Sequence, residues 1–204
     1  MVYSINEIFY SIQGEGFHAG EPAVFIRFAG CNLKCPWCDT DHSVKMELNE
    51  DEIIASLLDY PRTMYVLTGG EPTLQDLRPF LEKIHAIENK ISEQAPFICV
   101  ESNGTFDGDS LFADCIMDKL ISFITISPKP EQPPTDFALE VASEIKVVFD
   151  GIIDPAAYWS ETLMESRKLF IQPCSEAFEP AVAYVKENPN WRLSIQTQKI
   201  IGVR

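Results

Sequence analysis

The chain has 204 residues, 46% of them hydrophobic and 23% charged, which suits one globular α/β-sized domain over residues 1–204. With 16 basic against 31 acidic residues the net charge is −15, the wrong sign for a surface that displaces counterions from nucleic-acid phosphates. No apolar run reaches the roughly 18–20 residues of a membrane span, and the first residues show no basic region followed by an apolar stretch, so no membrane or secretory route is expected and the cytoplasm is the default location.

Short apolar runs rich in strand formers recur along the chain, with helix-compatible stretches between them. A strand is expected over 23–28, then a helix over 50–59, a strand over 64–67 and a helix over 74–92. The pattern continues with a strand over 97–100, a helix over 109–119 and strands over 123–126 and 145–149. A helix over 155–168, a strand over 169–171, a helix over 180–188 and a strand over 193–195 complete it. Alternating strands and helices predict a mostly parallel sheet, because parallel neighbours need a crossover. Nearly every unusual polar cluster falls directly after one of these strands: Cys31, Gly69-Gly70-Glu71-Pro72, Glu101-Ser102-Asn103-Gly104-Thr105, Ser127-Pro128-Lys129, Gln172-Pro173 and Gln196-Thr197-Gln198-Lys199. Ligands of α/β folds bind at that carboxyl edge.

Three of the six cysteines crowd into Cys31-Asn-Leu-Lys-Cys35-Pro-Trp-Cys38. A chain of this size needs no disulfide staples, and the crowding points to a metal. Most cubane clusters take four cysteines, so a set of three leaves one iron open to a substrate's amino and carboxylate groups. A zinc site with His42 as the fourth ligand is the competing reading, and pairing with a distant cysteine is another. Cys99, Cys115 and Cys174 read as small core hydrophobes.

The CxxxCxxC array with Trp37 before its last cysteine, followed by Gly69-Gly70-Glu71-Pro72, resembles the radical S-adenosylmethionine superfamily. A closer likeness lies in Ser11-Ile12-Gln13-Gly14-Glu15-Gly16, Cys38-Asp39-Thr40, Thr68-Gly69-Gly70-Glu71-Pro72, Ser127-Pro128-Lys129, Gln172-Pro173 and Gln196-Thr197-Gln198-Lys199. In that order these strings run over essentially the whole chain and resemble the 7-carboxy-7-deazaguanine synthase family. The resemblance implies a shortened, open partial barrel and a homodimer. It implies a 4Fe-4S cluster on Cys31, Cys35 and Cys38 that cleaves S-adenosylmethionine to a 5′-deoxyadenosyl radical, reduced by a donor such as flavodoxin or ferredoxin. The radical takes hydrogen from C6 of 6-carboxy-5,6,7,8-tetrahydropterin, and the ring contracts with loss of ammonia, assisted by magnesium. The product feeds queuosine and related deazapurines. An activase that installs a glycyl radical on a protein partner is the rival within the superfamily, but it should lack the Gln-Gly-Glu-Gly and terminal strings.

The same resemblance assigns roles to single residues. Trp37, Gly70, Ser102, Ser127, Pro128, Lys129 and Gln172 are expected around S-adenosylmethionine, with Gly69 and Gly70 allowing a close backbone approach. Ile12, Gln13, Gly14, Glu15, Thr68, Gln198 and Arg204 are expected around the pterin, and Thr40 offers magnesium a neutral oxygen. Arg27 lies inside an apolar strand, where its charge needs a buried partner or a route to water. A bidentate grip on the substrate carboxylate supplies one, and an exposed sheet edge is the alternative. At position 198 the family usually has His, so Gln198 departs from it; an amide can hydrogen-bond substrate but cannot move a proton near neutral pH.

Overall fold

Residues 1–61, 63–91, 95–151, 153–158, 168–174 and 178–204 are described by the structure, a computed structural model. Strand β1 (Val2–Ile12) pairs antiparallel with β2 (Pro22–Phe28) on one side and β3 (Met46–Asn49) on the other. From β2 onward the pairing is parallel, through β4 (Met64–Gly69), β5 (Ile98–Ser102), β6 (Phe123–Ile126), β7 (Glu144–Phe149), β8 (Lys168–Pro173) and the short β9 (Arg192–Leu193). The order is β3-β1-β2-β4-β5-β6-β7-β8-β9, so the sheet ends in two unjoined edges and stays open, as expected. The crossovers carry helices α1 (Glu50–Leu57), α2 (Arg78–Ile91), α3 (Leu111–Met117), α4 (Asp136–Val141) and α5 (Phe178–Glu187), and α6 (Thr197–Ile201) follows β9.

Local chemistry sets the helix starts. Asn49 accepts from the Asp51 and Glu52 amides while Glu52 reaches back to the Asn49 amide, a reciprocal box that opens α1. Ser110 and Thr135 cap α3 and α4 through the Ala113 and Ala138 amides. Helix α2 begins four residues later than expected. Pro72–Leu74 forms a separate 3-10 turn, and Gln75 is pulled into extended backbone, where its amide bonds the Ser4 carbonyl at 2.9 Å and the Ala29 carbonyl at 3.3 Å.

The expected pattern needs correction at four elements. Strand β1 escaped the pattern because its register shifts between Ile5 and Glu7: Tyr3 and Ile5 join the larger core, while Phe9 falls on the other face. A bulge of this kind breaks the period of two on which strand reading rests. Strand β3 and helix α4 are also absent from the expected pattern, because four and six residues are too few to show a strand alternation or a helical stripe. The expected helix over 155–168 appears only as a 3-10 turn at Pro155–Tyr158; residues 159–167 lie outside the described residues, and Lys168 already pairs with Glu144 as the first residue of β8.

Alternation sorts the strand residues between the two faces of the sheet. Val24, Ile26, Tyr65, Leu67, Ile98, Val100, Ile124, Ile126, Ile145 and Val147 pack in the larger core, under the helices. On the other face Phe9, Ala23, Phe25, Met64, Val66, Cys99 and Phe123 form a smaller apolar floor near the strands' amino ends. Further along that same face stand Arg27, Thr68, Glu101, Thr125, Glu144, Lys146 and Gln172. This face of the sheet therefore turns from apolar to charged along its strands, and the charged end is the site.

Candidate active site

A cavity of about 730 Å³ opens at the carboxyl ends of the parallel strands. Its wall includes Cys31, Cys35, Trp37, Cys38, Thr40, Gly70, Ser102, Ser127, Lys129 and Gln172, together with Ile12, Gln13, Gly14, Glu15, Arg27, Thr68, Gln198 and Arg204. Of the expected site residues only Pro128 is not on the wall; it is buried behind it and shapes the turn that presents Lys129. Cys99 and Cys115 are buried in the core as expected, but Cys174 is half-buried on the cavity wall, because its amide continues the β8 ladder to the Phe149 carbonyl and carries it to the strand's open end.

The cysteine loop is held from its backbone. The Gly30 amide donates to the His42 carbonyl at 2.8 Å and the Glu71 amide to the Gly30 carbonyl at 2.9 Å. Asn32 donates to the Thr105 hydroxyl at 2.8 Å and accepts from the Asn103 amide group at 2.9 Å. The need for glycine here differs from the expectation. A Cβ on Gly69 would stand 2.1 Å from the Phe28 carbonyl oxygen, and one on Gly70 2.0 Å from that of Gly30. These glycines let β4 close onto the root of the cysteine loop, whatever they also do for a ligand.

Glu71, which carried no expected role, is the hub of this side. It is fully buried, and its carboxylate accepts from the Asn103 amide at 2.7 Å, the Ser102 hydroxyl at 2.8 Å, and the Thr73 hydroxyl and amide at 2.7 and 3.2 Å. Burial pushes its carboxyl up, and these donors pull the other way. Ser102 thus spends its proton on Glu71 and accepts from the Gly104 amide at 3.0 Å. Lys129 donates to the Ser127 hydroxyl and carbonyl and lies 5.4 Å from the centre of the Trp37 ring. Burial and the Lys146 charge bring its ammonium down to about 8.

Cys31 and Cys35 are half-buried and Cys38 is exposed, all three on the one cavity wall. Burial and then the hydrogen bond to Glu131 push the Cys35 thiol up to about 11, so it keeps its proton until a metal displaces it. Among the described residues no three Cys, His, Asp or Glu side chains converge as they would around one metal ion, and this holds for the cysteine loop with or without His42. Three accessible thiols on one loop beside an open cavity fit a cluster whose fourth iron is left to a ligand.

The other side is ionic. Arg27 donates from Nε to Glu7 Oε1 at 2.9 Å, and Arg204 reaches the other oxygen of Glu7, so one carboxylate gathers two guanidinium groups at the cavity. Both lie over the Phe9 ring, at 6.0 and 5.3 Å from its centre. Arg27 is therefore half-buried and partnered, not a free edge residue. The Ser11 hydroxyl donates to the Arg204 carbonyl oxygen, which ties the chain's last residue to β1. Glu101 accepts from Gln13 Nε2 at 3.1 Å and from the Thr68 hydroxyl at 2.8 Å. Gln13 spends its backbone on the Glu21 and Gly20 partners, and the Gly14 carbonyl accepts from the Thr197 amide, so those edges serve the loop itself.

Glu15 accepts from Gln196 at 2.8 Å, from Gln198 at 3.0 Å and from Lys146. Burial opposes its charge, but the Lys146 ammonium and the two amides outweigh burial and hold the carboxyl well below the usual range. Among the described residues Gln198 Oε1 is buried without a hydrogen-bond partner. Thr40 stands at the rim between Asp39, paired with Lys199, and Asp41, paired with Lys45 at 2.9 Å. Lys146, Glu101, Glu7 and Gln196 were not among the expected site residues. Lys146 was open to the same reasoning as Arg27, since it sits within the apolar run of β7 and a charge there needs a partner.

Residues 25–129 match the family model described as the radical SAM superfamily. A 7-carboxy-7-deazaguanine synthase from Bacteroides thetaiotaomicron is 40% identical over 205 residues, covering all of both chains. One from Synechocystis is 34% identical over 99% of this chain and 94% of its own. In three dimensions the chain is similar to QueE from Escherichia coli, with a TM-score of 0.73 and 27% identity over 97% of this chain and 95% of that one. With its three-thiol loop, its open sheet and relatives aligned from end to end, the chain belongs to the radical S-adenosylmethionine superfamily and, within it, to the 7-carboxy-7-deazaguanine synthases.

Proposed function

We propose that this chain contracts the ring of 6-carboxy-5,6,7,8-tetrahydropterin to 7-carboxy-7-deazaguanine with loss of ammonia, acting as a single unit over residues 1–204. The observation that carries the reading is the meeting, in one cavity, of a three-thiol loop with an ionic pocket that offers both an arginine and ionised carboxylates. When bound, the cluster and S-adenosylmethionine supply the hydrogen-abstracting radical. Cys31, Cys35 and Cys38 hold the cluster. Trp37, Gly70, Ser127, Lys129 and Gln172 surround S-adenosylmethionine, and Ser102 acts through Glu71.

On the substrate side Arg27 grips the pterin carboxylate with the guanidinium face that Glu7 leaves open. The pterin's amino and ring N–H donors meet the Glu15 carboxylate and Gln198 Oε1, with Ile12, Gln13, Gly14, Thr68 and Arg204 closing the wall. Thr40 gives magnesium one oxygen and the substrate gives others. The rival activase reading is not favoured, because the two strings it should lack, around Glu15 and around Gln196–Gln198, are those that interlock here. A homodimer in the cytoplasm, reduced by a flavodoxin or ferredoxin, completes the proposal.

The test is anaerobic incubation of the reconstituted protein with the carboxytetrahydropterin, S-adenosylmethionine and a reductant, followed by product mass. The deazaguanine mass, dependent on magnesium after chelation and re-addition, is expected. Cleavage of S-adenosylmethionine with the pterin returned unchanged would contradict it.

A further inference from the structure

Lys146 is the most deeply placed cation of the cavity wall, 4% exposed, in the middle of β7. Its own packing does not ask for a charge. Ile145 and Val147 on either side are core residues, and the floor below the cavity is apolar. Three carboxylates surround the ammonium, and the Lys129 ammonium on the same cavity wall is near enough to feel its charge. Glu15 pairs with it directly, Glu101 Oε1 lies 3.9 Å away on β5, and Glu144 stands one pleat back on its own strand. Glu144 is already engaged by the Thr125 hydroxyl at 2.9 Å and the Phe17 amide at 2.8 Å, so it faces the floor and not the cavity. Glu15 and Glu101, by contrast, both line the cavity and carry its polar lattice: Gln196 and Gln198 on the first, Gln13 and Thr68 on the second. Side chains from three separate segments thus hang on two acidic groups that share one ammonium.

We propose that Lys146 is a positioning residue for substrate: its ammonium fixes the Glu15 and Glu101 carboxylates at the cavity wall, as acceptors for the N–H donor edge of the pterin. This rests on the pterin reading above. Without the ammonium, only the Gln196 and Gln198 amides oppose burial at Glu15, and the balance moves toward its protonated form, which offers a donor where an acceptor is needed. Recognition then weakens, and it weakens most at low pH. Lys129 and His42 also line the cavity, and Lys129 feels the Lys146 charge, so variant and native protein are compared below about pH 7, where the Lys129 ammonium is charged in both.

The experiment is equilibrium binding of the carboxytetrahydropterin to anaerobic, cluster-loaded native protein, Lys146→Met and Lys146→Arg. Lys146→Met is expected to bind roughly 30-fold or more weakly at neutral pH, with the deficit growing as pH falls. Its cluster absorbance and S-adenosylmethionine affinity stay native. Lys146→Arg is expected to recover part of the affinity and none of the added pH dependence. A purely structural lysine would lower the unfolding midpoint without adding a titration to binding. Native affinity with a parallel pH profile in Lys146→Met overturns the role of Lys146 alone, whereas failure of the native protein to bind the pterin overturns the functional reading with it. If Lys146→Met does not fold, the carboxyl carbon-13 shift of Glu15 in the native protein decides, assigned by its loss in Glu15→Gln. An ionised shift held from about pH 8 to about pH 5 supports the role, and a titration within that interval overturns it.

Discussion

On the cofactor side of the cavity the working groups hang from one loop and a few strand-end turns, whereas the substrate side is gathered from segments far apart in the chain. Cys31, Cys35 and Cys38 stand within eight consecutive residues, fastened by backbone bonds at Gly30 and Glu71. Glu15, Glu101, Lys146 and Gln198 come from four regions and meet only because the sheet brings their strand ends together. The first side binds a large, preformed group whose chemistry is largely its own, so it needs donors in a fixed loop and little else. The second must recognise a small polar heterocycle, and it does so with desolvated charges that hold one another in place. Damage should therefore be all-or-none on the first side and graded on the second.

Loss of a thiolate gives the largest effect. Cys31→Ala, Cys35→Ala and Cys38→Ala are each expected to abolish the broad iron–sulfur absorbance and all turnover, while Cys99→Ala and Cys115→Ala, both in the core, leave the absorbance largely intact. A Cys38→Ala protein with a full iron complement would dissolve the distinction between the sides.

Next comes Arg27. Removing one member of a buried, hydrogen-bonded charge pair costs roughly 2–5 kcal/mol, so Arg27→Ala should lower kcat/KM by roughly 30-fold to several thousand-fold. Arg27→Lys should recover part, because an ammonium lacks the planar fork. Native kinetics in Arg27→Ala at subsaturating substrate would remove this residue from the site.

Glu71 sharpens the comparison from the cofactor side, through stability. Both its oxygens accept from backbone amides, Thr73 on one and Asn103 on the other. In Glu71→Gln the new NH₂ group must face one of those donors, at a cost of about 1–3 kcal/mol, read as a lower denaturant midpoint. An unchanged midpoint would show that the turn does not depend on this carboxylate.

The smallest effect is expected at position 198. Gln198 donates to Glu15, and a histidine N–H can do the same, so Gln198→His should stay within about tenfold of native kcat/KM, about 1.4 kcal/mol. A much larger gain would mean that the chemistry wants a titratable group here.

These differences also explain what was legible in the sequence. The cysteine array, the Gly-Gly-Glu-Pro turn and the strand-helix alternation are local, and each carries its meaning within a few residues. Arg27 could be read because a charge breaks an apolar run, and Lys146 within the β7 run Glu144–Phe149 carries the same signal. The identity of its partners could not be read, because the Lys146–Glu15 pair joins residues 131 apart and is fixed by strand order. Glu71 looked like part of a turn motif, and only the approach of β5 shows that its carboxylate holds Ser102 and Asn103. Strand β1 was hidden for a different reason, since its bulge scrambles the alternation that would have announced it.

The most direct test of a divided cavity is to measure two affinities on one sample of cluster-loaded Arg27→Ala, for S-adenosylmethionine and for the carboxytetrahydropterin. The account predicts S-adenosylmethionine bound as tightly as by the native protein, with pterin affinity reduced by roughly the 2–5 kcal/mol of a broken charge pair. Equal losses for both ligands would contradict it, because they would mean that the two sides are one site held by the same residues.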